Sequence, residues 1–286
     1  MNEVSTLTWL WFNVGVIALI ILDAFVLNPK GREITLKRAI FMTLFWLVLA
    51  LLFNIGIYFY LGKQSALEFL TGYVVEQSLS VDNLFVFLLI FSHFKTSASH
   101  QRDILFWGII SAQIMRAVFI LAGMSLLHHF SWMMFIFGGI LIVTGLKLFV
   151  KKDEEIEPEE NFVYKMFSGK LPLFWIVFIM IQVTDLIFAV DSIPAVLAIT
   201  KSSFIAYTSN IFAVLGLRSM YFALASFMKM FHYLHYGLGA ILVFVGSKML
   251  LEHYVHIPVI VTLLVIILTL TITVCVSILC PLQKSL

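Results

Sequence analysis

Long apolar stretches separated by short polar breaks run the length of the chain. A membrane-spanning helix needs about 20 mostly apolar residues. Nine stretches reach or approach that length, near 8–27, 39–61, 69–92, 104–127, 131–150, 172–199, 203–227, 233–250 and 257–281. The pattern predicts an all-α, polytopic membrane protein with nine spans. The first stretch has neither a basic n-region nor a small-residue cleavage site, so it reads as a retained span.

Composition agrees with the pattern. Hydrophobic residues make up 62% of the 286 residues, charged residues 12%, and the mean hydropathy is +1.04, which leaves too little polar surface for a water-soluble domain. Positive loops stay cytoplasmic, and the breaks are lopsided. Twelve basic residues, among them Lys30, Arg32, Lys95, Arg102, Lys165 and Lys284, fall on one side, against Lys63 and Lys201 on the other. Nine alternating spans with the N-terminus outside and the C-terminus cytoplasmic produce that split. The formal charge of +2 therefore reports topology and gives no sign of nucleic-acid binding.

Cys275 and Cys280 have no metal or redox spacing and read as small apolar side chains. The histidines at span ends (His128, His129, His253 and His256) read as interfacial. The acidic segment holding Asp153, Glu154, Glu155, Glu157, Glu159 and Glu160 reads as a solvated linker. The organisation expected is one transmembrane domain over 1–286: two helices in 1–68, a first repeat in 69–150, a cytoplasmic linker in 151–171, a second repeat in 172–250 and a last helix in 251–286.

The repeat is the most informative feature. Glu76-Gln-Ser-Leu-Ser-Val-Asp82-Asn83 matches Asp185-Leu-Ile-Phe-Ala-Val-Asp191-Ser192; QIMRAVFILAG around Arg116 matches LGLRSMYFALA around Arg218; GGILIVTGLK (138–147) matches GAILVFVGSK (239–248). Each copy holds three spans. Because three is odd, the second copy enters the membrane from the opposite face, giving two inverted three-helix repeats, an architecture whose substrate sites lie where corresponding helices meet near the midplane. Glycines seven residues apart share a helix face and let helices approach closely.

Five acids lie within spans: Asp23, Glu76, Asp82, Asp185 and Asp191. An ionised side chain at the bilayer centre costs about 2.5–3.5 kcal/mol on insertion scales. Only Arg116 and Arg218 look deep enough to compensate, since Lys147 and Lys248 stand near span ends and can snorkel. The plain reading of one buried acid is an ion pair that fixes packing, and that reading suits Asp23, Arg116 and Arg218. Two copies of an acid pair with surplus negative charge point instead to a visiting cation.

On a regular helix Glu76, Ser80 and Asn83 form a stripe, which Asp185 and Ser192 repeat. Asp82 and Asp191 sit about 120° away from the first acid of each pair, and Pro194 favours a local helix break. The candidate ligands are Glu76, Asp82, Asn83, Asp185, Asp191 and Ser192. Asp23, Ser80, Arg116 and Arg218 are charge-pairing or pathway residues. All-oxygen donors suit Mg²⁺, Ca²⁺ or Mn²⁺.

These motifs, with Asn210-IFAVLGLRSMYF ending at Phe222, resemble the TerC family of membrane proteins, named for tellurium resistance and including Alx-type proteins linked to manganese export. The resemblance implies Mn²⁺ efflux, with the ion as cargo and no cofactor, and the six candidate ligands as metal-site or pathway residues. The family is also associated with tellurite tolerance, metalation of exported enzymes and membrane-protein insertion, so the alternative is a partner that assists metalation or assembly without transport. The partners expected are the lipid bilayer and a divalent metal ion; a homo-oligomer and a membrane-protein partner are both compatible with the chain. It lacks G-x-G-D, H-E-x-x-H and G-x-S-G motifs, so no enzymatic activity is expected.

Overall fold

The computed structural model describes residues 4–23, 35–130, 132–150, 162–167, 169–227, 233–251, 254–255 and 257–279. The side chains of Asp82, His128 and Asp191 lie outside the described set, as do the linker acids at 153–160, residues 252, 253 and 256, and Cys280. Eleven helices occupy the described residues: α1 (Thr6–Leu22), α2 (Leu36–Leu61), α3 (Lys63–His93), α4 (Ala98–His129), α5 (Met133–Val150), α6 (Phe162–Phe167), α7 (Leu173–Leu197), α8 (Ser203–Leu215), α9 (Leu217–Phe227), α10 (Leu234–Leu251) and α11 (Val259–Leu279). Each of the nine apolar stretches is helical over most of its described residues. Helices α2, α3, α4, α7 and α11 are long and apolar enough to cross a membrane, and α1, α5, α8 and α10 are shorter apolar helices.

Serines start several of these helices by accepting a bond from an otherwise orphaned amide: Ser5 for α1, Ser97 for α4 and Ser202 for α8. Gly62, at φ +90°, makes the whole turn between α2 and α3, a backbone region that a side chain would disfavour.

The repeats interlock. The first helix of each, α3 and α7, crosses the other and packs on the middle element of the opposite copy, α3 against α8 and α7 against α4. The third helices, α5 and α10, are the most extensively packed pair. Gly138 meets Gly246 and Gly145 meets Gly239, so rising residue numbers on one helix oppose falling numbers on the other. The two helices are antiparallel and related by exchange of equivalent glycines, which is the signature of an inverted repeat. Outside this centre, Trp9 and Phe12 of α1 pack on Phe204 and Tyr207 of α8, α2 lies along α3 and α9, and α11 covers α10 and α3.

Three expectations are corrected. Helix α7 runs through Pro194 to Leu197: the ring falls in the last turn, where the missing amide leaves the Val190 carbonyl without its intrahelical donor but does not break the helix. The break comes instead in the seventh apolar stretch, at Gly216 between α8 and α9. Its counterpart α4 has Ile114 at that place and is continuous. Lys147 is exposed, but Lys248 is 4% exposed and does not reach outward.

Candidate functional site

Where α3, α4, α7 and α8 meet, a group of polar side chains lies sealed inside apolar helices. Glu76, Ser80, Arg116 and Asn210 are fully buried, and Asn83, Asp185, Ser192 and Gln113 nearly so. The stripe anticipated on α3 exists because that helix is uninterrupted: Ser80, one turn beyond Glu76, donates its hydroxyl to Glu76 Oε1 at 3.5 Å.

Arg116 of α4 organises the group. Its Nη1 bonds Glu76 Oε1 of α3 and donates to Asn210 Oδ1 of α8 at 3.3 Å; its Nη2 donates to Asp185 Oδ1 of α7 at 3.3 Å. One guanidinium thus joins the first acid of one repeat to the first acid of the other. Arginine suits this place because its planar fork presents donors in two directions and stays charged when buried. Two carboxylates sharing one cation leave one negative charge uncompensated within this group, and burial makes such a charge expensive. Several atoms of the group are buried without a hydrogen-bond partner: Glu76 Oε2, Gln113 Oε1, Arg116 Nε, Asp185 Oδ2, Ser192 Oγ and Asn210 Nδ2. Each orphan of this kind costs about 1–3 kcal/mol.

Arg218, equivalent to Arg116 in the repeat, does something different. It sits beyond the Gly216 break on α9 and donates from Nη1 to Asp23 Oδ2 at 3.1 Å, with the Phe106 ring centroid 5.7 Å from its guanidinium carbon. Asp23, the C-cap of α1, is therefore the ion-pair partner of a neighbouring span, as its isolation from the repeat suggests.

A narrow cleft of about 20 Å³ lies beside the centre, lined by apolar residues of α3, α4, α7 and the α8–α9 junction, with Gln182, Asp185 and Arg218 as its polar members. Its α3 and α4 residues, Leu84 and Phe87, Leu105 and Ile109, come from the halves of those helices nearest the α3–α4 turn. That is the side to which the basic loops were assigned. Ser111 bonds Gln182 across the cleft wall.

The structure thus brings together Glu76, Ser80, Arg116 and Asp185, with Asn83 and Ser192 buried on the same helices, and sets Asp23 and Arg218 apart as a second pair. Among the described residues no group of three or more His, Cys, Asp or Glu side chains could hold a metal ion. Asn210, Gln113 and Gln182 escape a search confined to charges; the available signal is an amide side chain inside an otherwise apolar span, which the same burial argument singles out.

The interlocked inverted repeats and their buried charge cluster define a polytopic, all-α integral membrane protein of the kind built around a central polar site. The integral membrane protein TerC family matches residues 61–285, and the chain belongs to that family. It is 42% identical over 279 residues to "Uncharacterized membrane protein STKORF319" of Myxococcus xanthus, with 90% of this chain and 88% of that protein covered. It is 40% identical over 297 residues to "Putative membrane-bound redox modulator Alx" of Escherichia coli strain K12, with 92% of each covered. A membrane protein of Rickettsia felis is 37% identical over 281 residues, with 91% of this chain and 93% of that protein covered. No solved structure matches the chain.

Proposed function

We propose that this protein carries a hard divalent cation, Mn²⁺ first, out of the cell across the inner membrane, with the N-terminus outside and the C-terminus in the cytoplasm. One observation supports the reading above the others: Glu76 and Asp185, equivalent acids of the two inverted repeats, share Arg116 and each keeps an unbonded, buried carboxylate oxygen. A packing ion pair needs one acid per arginine. Here the second acid leaves a negative site with oxygen donors from Asn83, Ser80 and Ser192 close by in sequence on the same helices, chemistry that fits Mn²⁺, Mg²⁺ or Ca²⁺.

In this reading the ion enters through the cleft, meets Gln182 and then Asp185, and is held among Glu76, Asp82, Asn83, Asp185, Asp191 and Ser192. Rocking of one repeat against the other exposes it to the far side. Arg116 bridges the two first acids while the ion is absent.

Uptake of Mn²⁺ into everted membrane vesicles, with and without a pH gradient, tests the proposal. The parent protein should accumulate the ion and the Asp82→Asn and Asp191→Asn variants, inserted at normal levels, should not. Equal accumulation by those variants overturns it. Binding of Mn²⁺ by purified protein without movement into proteoliposomes would favour a metalation or assembly partner, and tellurite tolerance without either would favour a resistance role.

A further inference from the structure

We infer that Arg218 is a mobile counter-ion, resting on Asp23 in this conformation and moving to Asp185 and Glu76 when the repeats exchange shapes, with Gly216 as the hinge. The inference rests on the transport reading and supplies the internal switch which that reading leaves unspecified.

In an inverted-repeat carrier the two faces open alternately because each repeat adopts the conformation of the other. The two copies here differ in one conspicuous way. In the first, α4 is one continuous helix and Arg116 reaches both acids. In the second, the chain breaks at Gly216 and the matching Arg218 is turned onto Asp23. Exchange of shapes therefore requires the Gly216 amide, now bonded to the Val214 carbonyl, to regain its helical partner and Arg218 to take the place that Arg116 holds now.

Three further observations agree with that movement. Arg218 and Asp185 line the same cleft, so the guanidinium and the acid already border one space. Asp185 Oδ2 is buried and unbonded, so an acceptor awaits it. The glycine at the break is not demanded by local geometry, because φ at Gly216 is −79° and an added methyl would make ordinary contacts, 3.4 Å from the Trp46 side chain and 4.0 Å from the Ala213 carbonyl oxygen. A residue that neither space nor backbone conformation requires, placed where its symmetry mate is isoleucine, is explained by the ease with which glycine lets a helix open. Asp23 lies outside both repeats and has no counterpart, so it holds one arginine in one conformation. The lock is one-sided, and breaking it biases the exchange in a single direction.

The test measures how fast a membrane-impermeant maleimide reaches the cleft in everted vesicles. Ile109→Cys, on the cleft wall, serves as reporter in a background with Cys275→Ala and Cys280→Ala. Asp23→Asn should slow labelling, because the freed Arg218 moves onto Asp185 and fills the cleft. Gly216→Ala should slow it in the same sense, roughly fivefold for one glycine removed from a helix interior. Adding Arg218→Gln to Asp23→Asn should restore the parent rate, which a merely damaged α1 contact would not allow. Unchanged labelling in both single variants, or slowing by Asp23→Asn that persists without Arg218, overturns the inference. Mn²⁺ uptake by the parent is read separately: absent uptake with the labelling shifts intact counts against transport, and intact uptake without the shifts counts against the arginine switch.

Discussion

Gly145 of α5 and Gly239 of α10 stand so close that a methyl group on Gly145 would lie 2.7 Å from the Gly239 carbonyl oxygen and 2.9 Å from the Val243 amide nitrogen. Both obstacles are backbone, so neither can rotate aside. Gly145→Ala should destabilise the protein by about 1–3 kcal/mol through overpacking, read as a lower midpoint of thermal unfolding in detergent. Gly139→Ala on the same helix has nothing within 4 Å and should leave the midpoint unchanged or raise it. A fall at both positions would show that helix propensity or lipid contact, and not this approach, is being measured.

Removing the shared guanidinium has a larger effect. Arg116→Gln leaves two buried carboxylates facing each other, an uncompensated burial that costs about 3–5 kcal/mol. Arg116→Lys keeps the charge but loses the two-way fork, so it should recover only part of the loss. If the acids receive a cation, Mn²⁺ should raise the unfolding midpoint of Arg116→Gln more than that of the parent, because a ligand stabilises the state that binds it more tightly. Equal shifts in parent and variant would argue against a cation between Glu76 and Asp185.

Asn210 is held at the centre by Arg116 Nη1. Asn210→Leu removes the acceptor and strands part of that donor, which should cost about 1–3 kcal/mol in the unfolding midpoint. Asn210→Asp places a third carboxylate beside the pair, and the Mn²⁺ concentration giving half of the maximal thermal shift should then fall. No change in that concentration would place Asn210 outside the ion's reach.

Orientation is tested by reporters. Green fluorescent protein fused after Leu286 should fluoresce in cells and alkaline phosphatase at the same place should stay inactive, as expected of a cytoplasmic C-terminus. An active phosphatase there would reverse the assignment made from the basic loops.

Much of the architecture was legible because lipid imposes a strong filter on sequence: helix positions, the duplication and the burial of Glu76 and Asp185 all follow from what hydrocarbon excludes. Helix α11 (Val259–Leu279) falls within the stretch expected at 257–281, and α2 (Leu36–Leu61) begins only three residues before the expected 39. The interruption at Gly216 was not legible, because apolar residues continue across it and a single glycine inside an apolar run is a weak signal; what stands beside the opened turn is Trp46, from a helix far away in the chain. Partner choice was equally hidden. The charge surplus within the spans could be counted, yet the selection of Asp185 by Arg116 and of Asp23 by Arg218 is made by how helices cross, and no local spacing encodes it. Pro194 shows the converse error, a strong local signal made harmless by its place three residues before a helix end.

The odd number of helices in each repeat has an ancestral consequence. A chain carrying one repeat alone would hold only half of the central constellation: one leading acid, one arginine and one face of the glycine contact. To regenerate the complete arrangement, two copies of that short chain would have to thread the bilayer in opposite senses and pair head to tail. Fusing the copies fixes one of each orientation in every molecule, and it frees the two arginines, identical in such a precursor, to take up separate duties.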